Sequence, residues 1–313
     1  MARAFVFPGQ GSQTVGMGQE LAAAFEPARL VFEEVDDALE QRLSRLMFEG
    51  PEDELTLTEN AQPAIMAASL AVVRVLEQEG GVDLPEAAIC VAGHSLGEYS
   101  ALAAVGALGL ADAARLLKRR GQAMQEAVPL GEGAMAALLG LELEAVREIA
   151  TEAAGDDVCA AANDNAPGQV VVSGNAGAVD RAIELASERG AKRAIRLPVS
   201  APFHCALMAP AADVMAEALA EVTLAPPRVP IVANVTASLV SEPERVRRLL
   251  VEQVTAMVRW RESVLAMREQ EVEKLVELGA GKVLSGLVRR IDRALAASSV
   301  GGPAEVEALL KEL

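Results

Sequence analysis

A serine becomes a covalent nucleophile when it sits on a strained corner with a base nearby and backbone N–H groups beside it. The stretch Ile89-Cys90-Val91-Ala92-Gly93-His94-Ser95-Leu96-Gly97-Glu98-Tyr99 has the residue types for such a corner. A short apolar run leads into Gly93-x-Ser95-x-Gly97, and a small-residue helical stretch follows from Tyr99 to Gly109. Glycines two before and two after Ser95 remove Cβ atoms that would collide in a tight strand-to-helix turn. The helix aims its free N–H groups and positive dipole end back at the turn, so an oxyanion forming beside Ser95 would meet the Leu96 amide. A bare pattern of this kind recurs by chance, and its weight comes from the strand before it and the helix after it.

The chain has only two histidines, His94 and His204. His94 adjoins Ser95 where neighbouring side chains diverge, which leaves His204 as the base by elimination, in the chain order that elbow enzymes use. No acidic third member stands out. Asp156, Asp157, Asp164 and Asp180 fall in a segment that reads as an insertion, and a backbone carbonyl could orient the imidazole equally well. A glycine turn, Pro8-Gly9-Gln10-Gly11-Ser12-Gln13, follows the apolar run Ala4–Phe7 and can bring N–H groups and an amide side chain close to a substrate. It lacks the third glycine of a dinucleotide fingerprint.

A net charge of −17 excludes generic binding to nucleic acid or anionic membranes. An anionic substrate or acidic partner would need a local basic patch, for which Lys118-Arg119-Arg120, Lys192-Arg193 with Arg196, and Arg289-Arg290 are the candidates. Each taken alone reads as a solvated helix face. Cys90, Cys159 and Cys205 have no metal-like spacing and are odd in number, so neither a disulfide framework nor a metal centre is expected. No cofactor is expected either. There is no apolar run of membrane-spanning length and no charged leader with a long apolar segment, which predicts a cytoplasmic protein.

The elements that must position these groups follow from periodicity. With 51% apolar and 23% charged residues over 313, the chain can build one large core carrying a smaller insertion. Residues 17–50 read as amphipathic helices, with Leu39, Leu43 and Leu46 as one stripe and Gly50-Pro51 as a stop. A helix is expected from Ala64 to Gln78 and another from Ala111 to Val128. Beyond the break at Gly131-Glu132-Gly133, strands at 134–139, 158–161, 169–174 and 194–197 alternate with helices at 144–154 and 176–189. That βαββαβ order predicts a ferredoxin-like subdomain over 130–197, inserted into a large α/β domain formed by 1–129 and 198–313. Helices around 207–221 and 243–257, strands at 231–234 and 274–278, and a glycine turn at Gly279-Ala280-Gly281 complete the large domain, an open and largely parallel sheet.

Several stretches together resemble one family. Phe7-Pro8-Gly9-Gln10-Gly11-Ser12-Gln13, Gly93-His94-Ser95-Leu96-Gly97-Glu98-Tyr99, Arg119-Arg120-Gly121 with Met124-Gln125, Asn163-x-Asn165-x-Pro167-Gly168-Gln169, Ser200-x-Pro202-Phe203-His204 and Gly279-x-Gly281-Lys282-Val283-Leu284 are similar to the malonyl-CoA:acyl carrier protein transacylases, in that family's order and over nearly the whole chain. The resemblance implies an α/β-hydrolase-like large domain with a ferredoxin-like insertion. It implies that Ser95 takes the malonyl group from malonyl-CoA and passes it to the phosphopantetheine thiol of acyl carrier protein, for fatty acid biosynthesis. His204 would be base and then acid, Gln10 and the Leu96 amide the oxyanion hole, and Arg120 the holder of the malonyl carboxylate. Gln253 matches the position whose backbone carbonyl orients the histidine, and Phe203 accompanies malonyl selectivity.

An arginine fork matches a carboxylate with two parallel hydrogen bonds, which lysine cannot supply. Rival readings are a serine esterase or thioesterase that gives the acyl group to water, a non-catalytic carrier-binding module, and a polyketide-pathway acyltransferase.

Overall fold

The computed structural model describes residues 1–199 and 201–313, so Ser200, which opens one motif of the resemblance, lies outside the described residues. Among the described residues the strands are β1 (Arg3–Phe7), β2 (Cys90–Gly93), β3 (Gly133–Leu139), β4 (Cys159–Ala166), β5 (Gln169–Asn175), β6 (Arg193–Arg196), β7 (Ile231–Ala233), β8 (Ser238–Val240), β9 (Lys274–Leu278) and β10 (Ala296–Val300). They form two sheets, ordered β10-β9-β1-β2-β7-β8 and β4-β5-β3-β6. In the first, every pairing is parallel except that of β7 with β8.

The central strands β1 and β2 are apolar on both faces, as a covered parallel sheet requires. Alternation sends Phe5 and Phe7 to one side, against the helix Thr58–Gln78, and Ala4 and Val6 to the other, against Trp260, Val264 and Leu284. The helix Thr58–Gln78 begins earlier than the predicted Ala64 and contains Pro63. Proline there removes only the bond to the Glu59 carbonyl, near a helix start whose first N–H groups have no intrahelical partner in any case, and burial of Ala61, Gln62, Ala64 and Ile65 outweighs that loss.

Other boundaries also move. Leu39, Leu43 and Leu46 do not share a helix, because Glu26–Leu39 ends at Glu40 in a left-handed conformation (φ 48°) and Leu43–Glu49 starts anew. The helix expected at 243–257 stops at Glu252, and a separate one runs Trp260–Glu269. In the second sheet all pairings are antiparallel, and the helices Leu143–Ala154 and Ala176–Glu188 cover one face with Val146, Ile149, Val179 and Ala182. This is the ferredoxin-like strand order. β4 runs past the predicted end at 161 to Ala166, with register shifts that carry Asn163 and Asn165 along it. Among the described residues no helix is long and apolar enough to cross a membrane.

Candidate active site

Ser95 follows the end of β2 with φ 52°, a left-handed conformation that costs a non-glycine residue about 1 kcal/mol or more. The flanking glycines explain how the chain gets there. A Cβ on Gly93 would lie 1.9 Å from the Gly97 carbonyl carbon, and one on Gly97 would lie 2.3 Å from the Phe7 oxygen. The helix Gly97–Ala104 then starts directly behind the serine.

His204 lies against that serine. Its Nε2 is 2.9 Å from Ser95 Oγ and its Nδ1 is 2.9 Å from the backbone oxygen of Gln253. A carbonyl can only accept, so Nδ1 carries the proton, Nε2 is bare, and the serine hydroxyl donates to it. Gln253 closes the helix Pro243–Glu252, where carbonyls lack intrahelical donors, and this frees its oxygen for the imidazole. Burial, and next the neighbouring Arg120, push the His204 pKa down to about 3, so the ring is neutral and ready to take a proton.

Arg120 is 1% exposed. The cluster Lys118-Arg119-Arg120 taken alone reads as a solvated helix face, but the Arg120 guanidinium turns inward to Ser95, where the resemblance puts a substrate-holding arginine. Nη1 donates to Gln62 Oε1 (2.8 Å), and Nη2 donates to Gln253 Oε1 (2.9 Å) and Ser95 Oγ (3.1 Å). Gly121 makes this approach feasible: a Cβ there would lie 2.5 Å from Glu59 Cα, so the helix Leu110–Glu126 can press against the start of Thr58–Gln78. The rest of that cluster is also spoken for. Lys118 lies 3.0 Å from Glu59, and Arg119 faces Glu217 and Glu221.

Ser95, His204, Arg120, Gln10, Leu96 and Phe203 line one cleft of about 340 Å³, together with Asn163 and Asn165 from β4. Gln10 Nε2 donates to Thr58 Oγ1 at 3.4 Å. Among the described residues the backbone N–H groups of Gln10 and Leu96 have no protein acceptor, as an oxyanion hole requires. His94 meets Asn165 Oδ1 through Nε2 at 2.9 Å, so of the two histidines it is His204 that reaches Ser95 Oγ.

Sequence reasoning passed over three residues that hold these groups. Asn234 Oδ1 accepts from the Ser95 N–H (2.7 Å) while its Nδ2 donates to Gly93 O (2.6 Å), pinning the elbow from β7's end. Gln62 anchors Arg120. Glu98, 2% exposed, accepts from Gln253 Nε2 (2.6 Å) and the Asn234 N–H (3.2 Å), and burial raises its pKa to about 7. Glu98 follows Ser95 by three residues on the elbow helix, and a carboxylate within a buried helical run was the available signal.

Residues 4–301 match the acyl transferase domain model. The chain is 47% identical over 308 residues to a malonyl CoA-acyl carrier protein transacylase of Escherichia coli K12, covering 98% of each chain. It is 45% identical over 311 residues to one of Bacillus subtilis, covering 99% of this chain and 96% of the relative. Among solved structures it is similar to an acyl-carrier-protein S-malonyltransferase of Bartonella henselae, with a TM-score of 0.98, 55% identity, and coverage of 100% of this chain and 99% of the other. It is also similar to a malonyl-transacylase solved with its type II PKS acyl-carrier protein, at TM-score 0.97, 43% identity and full coverage of both chains.

Proposed function

This chain belongs to the acyl transferase domain family and, within it, to the malonyl CoA-acyl carrier protein transacylases, and we propose that it moves a malonyl group from coenzyme A to the phosphopantetheine thiol of acyl carrier protein through an ester on Ser95. Ser95 Oγ attacks the thioester carbonyl as His204 Nε2 takes its proton. The tetrahedral oxyanion sits between the Gln10 and Leu96 amides, the coenzyme A sulfur leaves with the proton held by His204, and malonyl-Ser95 remains. The carrier thiol then gives its proton to His204, attacks the ester, and Ser95 departs with that proton. Both thiol carriers present the same arm, so one cleft serves both half-reactions.

The observation that carries malonyl as substrate is the environment of Arg120. It is a buried cation 3.1 Å from the nucleophile, held by two amide oxygens. A malonyl carboxylate would complete its charge balance, whereas an acetyl group would leave it unpaired, a difference worth a few kcal/mol. Phe203 lines the cleft beside His204, and in the family that this chain resembles an aromatic there accompanies malonyl selectivity. We assign the pathway to fatty acid biosynthesis, with polyketide synthesis the second reading because one relative serves a type II PKS carrier. The proposed compartment is the cytoplasm, where thiols such as Cys90 and Cys205 stay reduced. The cleft opens between the two proposed units, 1–129 with 198–313 and the inserted 130–197.

Carrier docking falls to the two remaining basic clusters. Among the described residues, Lys192, Arg193, Lys282, Arg289, Arg290 and Arg293 form no ion pair. Arg290 Nη1 donates to Gln169 Oε1 (2.7 Å), and Lys192 packs on Gly140 beside Gly168, so the two clusters flank the β4–β5 turn just past Asn165 in the cleft wall.

Intact mass after brief mixing with malonyl-CoA tests the reading. A malonyl adduct on the wild type and none on Ser95→Ala, discharged by added carrier protein, is expected; an adduct lost equally fast without acceptor identifies a hydrolase instead.

A further inference from the structure

We propose that Glu98 is a positioning residue for malonyl recognition, acting through the side-chain amide of Gln253 to hold Arg120 ready for the substrate carboxylate. The inference rests on the transferase reading above. Gln253 is fully buried and its amide faces two ways: Nε2 donates to Glu98 Oε2 (2.6 Å), with longer contacts to the Ser95 carbonyl (3.1 Å) and Asn234 Oδ1 (3.4 Å), and Oε1 accepts from Arg120 Nη2 (2.9 Å). An amide in that slot could sit either way round. The ionised Glu98 carboxylate, which only accepts, makes the shortest of the contacts that turn the NH₂ away from Arg120 and the oxygen toward it, with the Ser95 carbonyl acting in the same sense. With the amide reversed, its NH₂ would oppose the guanidinium, donor against donor.

The spacing serves recognition. A carboxylate in direct contact with Arg120 would pair with it and compete with the substrate; one amide away, it supports the cation while the guanidinium's hydrogen bonds go to the neutral oxygens of Gln62, Gln253 and Ser95. The same carboxylate also accepts from the Asn234 N–H (3.2 Å), and Asn234 holds the Ser95 N–H (2.7 Å). Glu98 thereby ties the malonyl clamp to the nucleophile's own backbone.

The test compares Ser95 acylation rates from malonyl-CoA and acetyl-CoA in the full-length protein. Glu98→Gln should lower the malonyl-to-acetyl ratio by about tenfold, since an amide at 98 can present its NH₂ to Gln253 and leaves only the longer contacts to the Ser95 carbonyl and Asn234 Oδ1 to hold that side chain's direction. The exchange Glu98→Gln/Gln253→Glu, which sets a carboxylate directly against Arg120, should not recover that ratio, because the new carboxylate pairs with the guanidinium and competes with the substrate. Glu98→Asp, which keeps the charge on a shorter arm, should fall between and serves if the glutamine variant does not fold. Equal losses for both donors, an unchanged ratio, or a ratio restored by the exchange would each overturn the relay. Absence of any malonyl adduct on the wild type would instead sink the transferase reading itself.

Discussion

The Nδ1 of His204 and the backbone oxygen of Gln253 lie 2.9 Å apart, and this contact, with no carboxylate on the ring, sets the imidazole's tautomer. A carbonyl orients the ring as well as an aspartate would, yet adds no negative charge to favour its protonation. Burial and Arg120 therefore act on the ring with little opposition, and its pKa falls to about 3.

Removing Arg120 should raise that value. Arg120→Ala takes away a positive neighbour, so the His204 pKa is expected to move back toward the ordinary imidazole range of about 6.5. With only two histidines in the chain, proton NMR titration of wild type and variant reads this directly. An unmoved titration would mean that burial alone sets the shift. The same variant should lose malonyl preference while keeping some acetyl transfer, and equal loss of both would refute the clamp.

Stability should depend on pH through two buried groups of opposite sign. His204 has a folded pKa below its unfolded one, so its contribution is lost as pH falls from about 6.5 toward 3. Glu98 has a folded pKa raised from 4.5 to about 7, so stability is lost as pH rises through that window and then levels off. Glu98→Gln removes the second slope. Its stability relative to wild type, from urea unfolding, should rise by roughly 3 kcal/mol between pH 4.5 and 7. A flat difference would show that Glu98 stays charged throughout.

The elbow holds Ser95 in a left-handed conformation, φ 52°. Ser95→Gly relieves the positive φ, so it should be inactive yet more stable than Ser95→Ala by about 1 kcal/mol. Equal unfolding midpoints for the two variants would remove strain from the account.

Much of this was legible because chemistry demanded particular residue types. Ser95 between two glycines, two histidines of which one adjoins it, and alternating apolar segments pointed to Ser95 and His204, which the fold brings within 2.9 Å, and to both sheets. The supporting amides were not legible, since Gln62, Asn234 and the side chain of Gln253 are neutral residues with no spacing of their own and acquire meaning only when three segments meet. Arg120 looked like its neighbours Lys118 and Arg119 because helical phase, which turns it inward, is set by Gly121 against Glu59. The edge strand β10, Ala-Ala-Ser-Ser-Val, has one buried residue and so no alternation to read. Helix Trp260–Glu269 did carry a signal, with Trp260, Ser263, Val264 and Met267 buried at helical spacing.

Gly121→Ala tests that phase. The new methyl would sit 2.5 Å from Glu59 Cα, and backbone cannot yield as a flexible side chain does. The helix Leu110–Glu126 must shift outward, at about 1–3 kcal/mol, and withdraw Arg120 from Gln62. KM for malonyl-CoA should rise several-fold with Ser95 and His204 untouched; an unchanged KM would show that the close approach does not position Arg120.

Reversing the unpaired cations tests docking. Arg289→Glu/Arg290→Glu places two negative charges beside the β4–β5 turn, where Arg290 now meets Gln169. If an acidic carrier docks there, KM for carrier protein should rise by about tenfold or more at low salt and less at high salt, because exposed pairs are screened. Acylation of Ser95 by malonyl-CoA alone should change far less, since the small donor reaches the cleft without that surface. Equal effects on both half-reactions would mean that the clusters attract coenzyme A's phosphates instead, and no effect on either would return them to the solvated helix face that they resemble one at a time.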